Sequence, residues 1–329
     1  MSIVIAGTGS YVPERRLTNA ELEKMVDTTN EWIVSRTGIS ERRIATTEET
    51  CSTMCIEAAR RALESAGMTG KDISAILIAT TTPDYVFPNT ASLVQRGIEA
   101  LGCFCLDISS ACTGFIAGIN VGCSLLQAHE EYESVMICGS EKLSCITDWQ
   151  DRNTCVLFGD GAGALILRRV HDGKDDCCVK VSEVHADGTY AEILCLPAGG
   201  SRNPTTAQTL EERLHYIHMR GRETFKLAVM SMAEAARSVL KRAGVTFDQV
   251  ALLIPHQANI RIIQAVAKQL ELPDEKVFIN IEKYGNTSAA SIAISLDEVI
   301  RSGRIKRGDK VLLASFGSGL TWGAVLVTY

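Results

Sequence analysis

Cys112 lies in Asp107-Ile108-Ser109-Ser110-Ala111-Cys112-Thr113-Gly114-Phe115, an apolar strand that runs through small residues into a helix start. A thiol at a helix N-terminus feels the positive end of the macrodipole, and this favours the thiolate, the nucleophilic form. The Ser, Ala and Gly around it leave room for a substrate, so the segment suits covalent acyl transfer. Context has to do the selecting, because the chain has 12 cysteines, all between Cys51 and Cys195. Cys103, Cys105, Cys138 and Cys155 sit inside apolar runs and read as buried thiols acting as small hydrophobes. With no Cys-x-x-Cys pair, zinc and redox readings are weak, and no metal site is expected.

Two further residues have the right chemistry. His256, in Ile254-Pro255-His256-Gln257-Ala258-Asn259, ends an apolar strand where the chain leaves its sheet. A histidine there is often a satisfied structural residue. Asn286, in Gly285-Asn286-Thr287-Ser288-Ala289-Ala290-Ser291, would ordinarily be a helix N-cap. The glycine-rich Ser315-Phe316-Gly317-Ser318-Gly319-Leu320-Thr321-Trp322-Gly323 would by itself be a hairpin; beside a nucleophile it can offer a backbone N–H to an oxyanion.

The elements that must position these residues alternate along the whole chain. Buried strands are expected at 73–79, 103–108, 134–138, 162–167, 250–254, 277–281, 310–314 and 323–327, with a first strand near the N-terminus running into a turn at Gly7. Helices are expected at 52–65, 113–128, 210–243, 260–270 and 288–301. This is an α/β pattern with continuously apolar strands. It also repeats. Asp72 before Ala75-Ile76-Leu77-Ile78 is matched by Asp248 before Ala251-Leu252-Leu253-Ile254, 176 residues later, and the strands from Cys103 and Val135 are matched by those from Val277 and Val311. At an offset of 174, that of the Cys103 and Val277 strands, Cys112 falls on Asn286, and at 176 His256 falls on Thr80. In a fold with pseudo-twofold symmetry the strand ends of both halves meet near the axis, which would bring Cys112, His256 and Asn286 together.

Composition sets outer bounds. With 329 residues, the chain makes two domains or one large domain of two halves. A net charge of -6 gives no reason to expect nucleic acid. No run of about 18 apolar residues is present, so no membrane span is expected. Met1–Gly7 lacks the layout of a signal peptide. Reduced thiols and no secretory signal point to the cytoplasm.

Together Ser110–Phe115, Pro255–Asn259, Gly285–Ser291 and the terminal Phe316-Gly317…Leu320-Thr321-Trp322-Gly323 resemble the β-ketoacyl-[acyl-carrier-protein] synthase III family of the thiolase superfamily. Gly7–Pro13, Trp32-Ile33 and Arg36-Thr37-Gly38-Ile39 match it too, so the resemblance spans the chain. It implies a thiolase-like five-layered αβαβα fold of two pseudo-symmetric halves, 1–171 with Cys112 and 172–329 with His256 and Asn286, working as a homodimer. It also implies the initiating condensation of fatty acid synthesis. Cys112 takes an acyl group, most simply acetyl, from acyl-CoA. His256 and Asn286 stabilise the enolate formed when malonyl-[acyl-carrier protein] loses carbon dioxide, and the N–H groups of Cys112 and Ser318 hold the oxyanion. Acyl-CoA is a substrate and no cofactor is implied.

The resemblance assigns CoA contacts to Thr28, Trp32, Arg36, Arg152, Met219, Gly221, Phe225 and Asn259, and acyl-pocket closure across a dimer interface to Phe87. Acyl carrier protein is acidic, and its docking would fall to Arg222, Lys226, Arg261 and Lys268, with Gln257 beside them. Arg222 and Lys226 are helix neighbours at i, i+4, and Arg261 and Lys268 share a helix face. Ser318 and Asn153 stand where many members have glycine, and the polar stretch 171–178 matches no motif. Two rivals are an acyltransferase of secondary metabolism using another acyl-CoA or extender, and a non-catalytic relative; the intact Cys-His-Asn set argues against the second.

Overall fold

The computed structural model describes residues 2–171 and 178–329. The expected junction at 171/172 and most of the 171–178 stretch therefore fall outside the described residues.

Two sheets carry the fold. The first holds β1 (Ser2–Tyr11), β2 (Ala75–Ala79), β3 (Phe104–Ile108), β4 (Ser134–Glu141) and β5 (Gly161–Val170), in the order β1-β5-β4-β2-β3. The second holds β6 (Val179–Ala186), β7 (Leu252–Pro255), β8 (Lys310–Gly317) and β9 (Thr321–Thr328), in the order β6-β9-β8-β7. The pairings correspond. β1/β5 and β5/β4 are antiparallel and β4/β2 parallel; β6/β9 and β9/β8 are antiparallel and β8/β7 parallel. Where β3 adds to β2, only a parallel bridge from Leu253 to Val277 adds to β7. The repeat read in the sequence is thus a repeat of topology, with one strand reduced to a bridge. The expected strand at 277–281 fails because its end turns into a short helix, Ile281–Tyr284.

Helices fill three layers. α1 is Asn30–Thr37, α2 Cys51–Ala66, α3 Thr90–Gly97, α4 Gly114–Ala128, α5 Gly221–Ala243, α6 Ile260–Gln269 and α7 Ala290–Arg301. α2 and α3 cover the outer face of the first sheet, α5 and α6 flank the second, and α4 and α7 lie between the sheets. Successive strand residues point to opposite faces, so each central strand feeds two cores. Ala75 and Leu77 join the central core, Ile76 and Ile78 the outer one. In β8, Val311 and Leu313 face the centre, while Leu312 and Ala314 face α5 and α6. Burial on both faces is why these strands read as unbroken apolar runs. Residues 111–128 are long and apolar enough to cross a bilayer, but α4 is the middle layer, packed on both sheets.

Two expectations need correction. Gly7 does not end a strand. β1 continues to Tyr11, and a Cβ at Gly7 or Gly9 would stand 2.5 Å from the Ala62 carbonyl oxygen or 2.3 Å from that of Ala58. These glycines let α2 lie directly on β1. The helix expected at 210–243 is broken: Ala207–Glu211 is one short piece and α5 starts at Gly221. Between them the Ile217 N–H donates to the Ile146 carbonyl and the Arg220 N–H to that of Ile193. Those tertiary bonds replace helical ones.

Candidate active site

Cys112 sits in a 3-10 turn, Ala111–Thr113, that leads into α4. The turn is fastened to the hairpin of the other half. The Ser315 hydroxyl donates to the Cys112 carbonyl at 2.7 Å, and the Thr321 hydroxyl donates to that of Ser110 at 3.2 Å. The Thr113 hydroxyl donates back to the Thr321 carbonyl at 3.1 Å. At Gly317 a Cβ would stand 2.8 Å from the Cys112 amide nitrogen and 3.0 Å from that of Thr113, so glycine keeps open the space in front of those amides. The surroundings of the thiol reverse one expectation. Burial pushes it up to about 12, the Ser288 hydroxyl opposes this, and the Glu141 carboxylate adds to it. The helix start does not leave a resting thiolate here; desolvation of the charged form dominates.

His256 follows directly on β7, with its N–H donating to the Ala314 carbonyl at 2.8 Å. It is 1% exposed, and burial pushes its imidazole down to about 3, so the ring is neutral. Nδ1 lies 2.6 Å from the Ser291 oxygen, which also receives the Gln257 N–H at 3.4 Å. With the Ser291 hydroxyl donating to Nδ1, the ring's own proton is on Nε2.

Asn286 is held by its backbone. Its N–H donates to the Leu157 carbonyl at 2.8 Å, and its carbonyl accepts from the Gly159 N–H at 3.0 Å. Its Oδ1 accepts from the Ser288 N–H at 2.8 Å, which leaves the Nδ2 donor for the cavity. Gly285 before it has φ +66, and a Cβ there would meet the Leu157 carbonyl at 2.8 Å. Only glycine is at ease in that conformation and that space.

The three side chains line one cavity of about 520 Å³. Its outer wall includes Trp32, Arg36, Met219, Phe225, Asn259 and Arg261. A second compartment of about 330 Å³ shares Cys112 and Phe158 with the first and is lined by apolar Leu143, Ile146, Leu196 and Ile217. Ser318 lines this compartment with Cys112. The thiol thus stands between a larger opening, where Arg36, Arg222 and Arg261 join an otherwise largely apolar wall, and a smaller apolar end. Such a site accepts a carbonyl at the thiol, an acyl tail beyond it and a long leaving group behind. It also aims two neutral donors at one space.

The other expected residues fall as follows. The Arg152 guanidinium is 4.9 Å and that of Arg36 5.7 Å from the Trp32 ring centre. Arg152 also donates to the Asp27 carbonyl at 2.7 Å. A purine held between Trp32 and Arg152 needs roughly 7 Å, two van der Waals separations, so the pair must open to admit one. Thr28 lies just ahead of α1, its hydroxyl buried without a partner. Gly221 lines the larger cavity at the start of α5. Asn259 caps α6, accepting from the Arg261 N–H at 2.9 Å and donating to the Arg36 carbonyl at 3.0 Å, which ties α6 to α1. Arg222, Lys226, Arg261 and Lys268 are exposed on α5 and α6, and Arg222 and Arg261 border the cavity. Gln257 is a correction. It is 1% exposed, its amide donates to the Pro255 and Phe278 carbonyls and accepts from the Asn280 N–H, and a side chain so enclosed cannot touch a partner. Phe87 is 85% exposed and lines neither cavity.

The sequence reading assigned nothing to Phe158, Ser288, Ser291 or Glu141. Ser288 and Ser291 lie in the quoted Asn286 segment, and their spacing was the available signal. Glu141 ends an apolar strand, where an acid ordinarily meets solvent.

Residues 106–188 match the family model described as 3-Oxoacyl-[acyl-carrier-protein (ACP)] synthase III, and residues 240–329 match the model of its C-terminal region. The chain is 50% identical to β-ketoacyl-[acyl-carrier-protein] synthase III of Caldanaerobacter subterraneus subsp. tengcongensis, over 99% of this chain and 97% of that protein. The crystal structure of 3-oxoacyl-[acyl-carrier-protein] synthase III from Aquifex aeolicus is similar with a TM-score of 0.91 and 48% identity, over 99% of this chain and 100% of that chain. The corresponding structure from Pseudomonas aeruginosa gives 0.91 and 37%, over 100% and 98%.

Proposed function

The chain belongs to the 3-oxoacyl-[acyl-carrier-protein] synthase III family, and we propose that Cys112, His256 and Asn286 carry its condensation of an acyl-CoA with malonyl-[acyl-carrier protein]. This is the initiating step of fatty acid synthesis and releases carbon dioxide and CoA. The observation that carries the assignment is the single cavity joining one thiol to two neutral hydrogen-bond donors, with an apolar compartment beyond the thiol.

The sulfur of Cys112 attacks the acyl carbonyl. The oxyanion is held by the N–H groups of Cys112 and Ser318, in the space that Gly317 leaves open. The carbonyl re-forms, CoA leaves, and the acyl chain stays in the apolar compartment. Malonyl-carrier protein then enters by the larger opening. His256 Nε2–H and Asn286 Nδ2–H donate to its thioester oxygen as carbon dioxide departs. Neutral donors suit this step, because negative charge grows on that oxygen only in the transition state. The enolate carbon attacks the acyl-Cys112 carbonyl, the C–S bond breaks and the 3-oxoacyl-carrier protein leaves. Nothing in the sequence calls for a cofactor.

Trp32, Arg36, Arg152, Met219, Gly221, Phe225 and Asn259 serve CoA, with Thr28 beside them. Arg222, Lys226, Arg261 and Lys268 steer the acidic carrier protein despite the chain's own net charge of -6. The chain works in the cytoplasm as two halves, 1–171 and 172–329. It works as a homodimer in which Phe87, apolar and exposed in the single chain, closes the partner's acyl compartment. Acetyl is the simplest primer.

Intact-mass measurement after incubation with acetyl-CoA tests the reading. An acetyl adduct is expected in the parent protein and absent in Cys112→Ala, and it should be discharged by malonyl-carrier protein. An adduct that survives the substitution would overturn the assignment.

A further inference from the structure

The loading step needs somewhere to put the Cys112 proton. His256 is badly placed to take it, since its buried ring resists a positive charge and its Nδ1 is engaged by Ser291. Behind Cys112 lies a different group. Glu141, at the end of β4, is 0% exposed and forms no ion pair among the described residues. Its carboxylate accepts from neutral donors only: the Thr82 hydroxyl at 2.8 Å, the Thr81 N–H and hydroxyl at 3.1 Å, and the Thr80 hydroxyl at 3.3 Å. The remaining donor is the Ser288 hydroxyl, 2.9 Å from Oε1. Ser288 lines the apolar compartment together with Cys112, and its hydroxyl is the group that opposes the upward push of burial on the thiol. Its hydroxyl donates to Glu141, so the lone pairs of its oxygen are left for the compartment that it lines with Cys112. Ser288 is held there by Asn286, whose Oδ1 takes its N–H, and by a left-handed φ of +48.

A lone buried carboxylate is costly unless a function retains it. Among the described residues no basic side chain pairs with it. Among these residues its charge pushes up the thiols of Cys51, Cys112 and Cys145. Lys142, the next residue, turns away and donates to the Thr46 and Glu49 carbonyls.

We propose that Glu141 is the proton acceptor for acyl loading, working through Ser288. This rests on the reading of Cys112 as the acyl-holding nucleophile. As the sulfur attacks the acyl carbonyl, the thiol proton passes to Ser288 Oγ and the Ser288 proton passes to Glu141 Oε1, which becomes a neutral carboxylic acid. When the carbonyl re-forms, the C–S bond to CoA breaks with its electron pair on the CoA sulfur. The proton returns from Glu141 through Ser288 to that sulfur, and CoA leaves as the thiol. Proton count and charge are unchanged over the step. Burial raises Glu141 above the ordinary carboxylate range, in the direction that makes it a better acceptor.

Quenched-flow mass measurement of acetyl loading across pH, and of transfer from acetyl-enzyme to malonyl-carrier protein, tests this in Glu141→Gln, Glu141→Asp and Ser288→Ala. Loading in the parent protein should rise with pH along a limb above the usual carboxylate range. In Glu141→Gln that limb should vanish and loading should fall about 100-fold, the usual worth of a positioned base. Glu141→Asp should restore part of it, and Ser288→Ala should fall likewise. Transfer from acetyl-enzyme prepared by long incubation should fall at least tenfold less than loading. Iodoacetamide alkylation of Cys112 separates relay from mere charge. A relay makes alkylation slower in Glu141→Gln. A charge that only opposes the thiolate makes it as fast or faster, which would overturn the proposal, as would equal losses in loading and transfer. A parent protein that gains no acetyl adduct at all would instead sink the nucleophile assignment.

Discussion

Cys112 is surrounded so that its proton is held tightly, while His256 and Asn286, which share its cavity, are uncharged. The division of labour has a consequence for single substitutions. Removing one preorganised donor to a developing oxyanion costs about 100- to 1000-fold in rate. His256→Ala and Asn286→Ala should therefore slow carbon dioxide release by that order, measured with labelled malonyl-carrier protein. Both should still take up acetyl from acetyl-CoA within about tenfold of the parent, because neither donor faces the loading oxyanion. Asn286→Ala should show the larger loading defect of the two, since Asn286 also holds Ser288. The neutrality of His256 has its own cost. A histidine held near 3 in the fold, against an ordinary 6.5, stays unprotonated while the unfolded chain takes up a proton. The stability it allows is fully present above 6.5 and is lost as pH falls toward 3. The slope is about 1.4 kcal/mol per pH unit, hence about 2 kcal/mol between pH 6.5 and 5. Urea unfolding at the two pH values should show the parent losing that much more than His256→Asn. An equal loss in both would mean that the ring gains its proton in the native state.

At the level of elements, the site depends on close approaches that only backbone can make. Gly9 is the sharpest case away from the chemistry. An alanine Cβ would press on the Ala58 carbonyl at 2.3 Å and on the Ala62 nitrogen at 2.5 Å, both backbone atoms of α2 that cannot swing aside. Gly9→Ala should cost at least about 1–3 kcal/mol, read as a lower urea midpoint with an unchanged slope. Gly317→Ala places the same kind of obstacle before the Cys112 amide, at 2.8 Å, and should depress acetyl loading with far less effect on the urea midpoint. These glycines also show what the sequence could and could not say. Strands buried on both faces, such as β2 and β8, were legible because both faces demand apolar residues. The Cys112–Asn286 correspondence was legible because the two halves share a topology. The purpose of Gly7 and Gly9 was not, because nothing in β1 reveals that α2 will lie on it. The break before α5 was equally hidden, since its backbone bonds go to Ile146 and Ile193, distant in sequence. Glu141 was hidden for the same reason: its partners come from residues 80–82 and 288.

At the level of the whole molecule, the single chain exposes one apolar edge. β3 is the edge strand of the first sheet, and its Phe104 and Leu106 are exposed. Leu101 and the run Tyr85-Val86-Phe87 are exposed as well. An apolar edge strand is an open pairing site, and native proteins cover or charge such edges. A second copy pairing along β3 would cover it and carry Phe87 toward the partner's acyl compartment, which joins assembly to activity. The two effects are separable by substitution. Phe104→Arg puts charge on the edge itself and should give monomers by sedimentation equilibrium, with acetyl turnover lost in proportion to the monomer present and recovered at high protein concentration. Phe87→Ala leaves the edge intact. It should remain dimeric while opening the compartment, so competition between acetyl-CoA and longer acyl-CoA substrates should shift toward the longer chains. The opposite pattern, with Phe104→Arg fully active as a monomer, would mean that each 329-residue chain closes its own acyl compartment and that the exposed edge serves another contact.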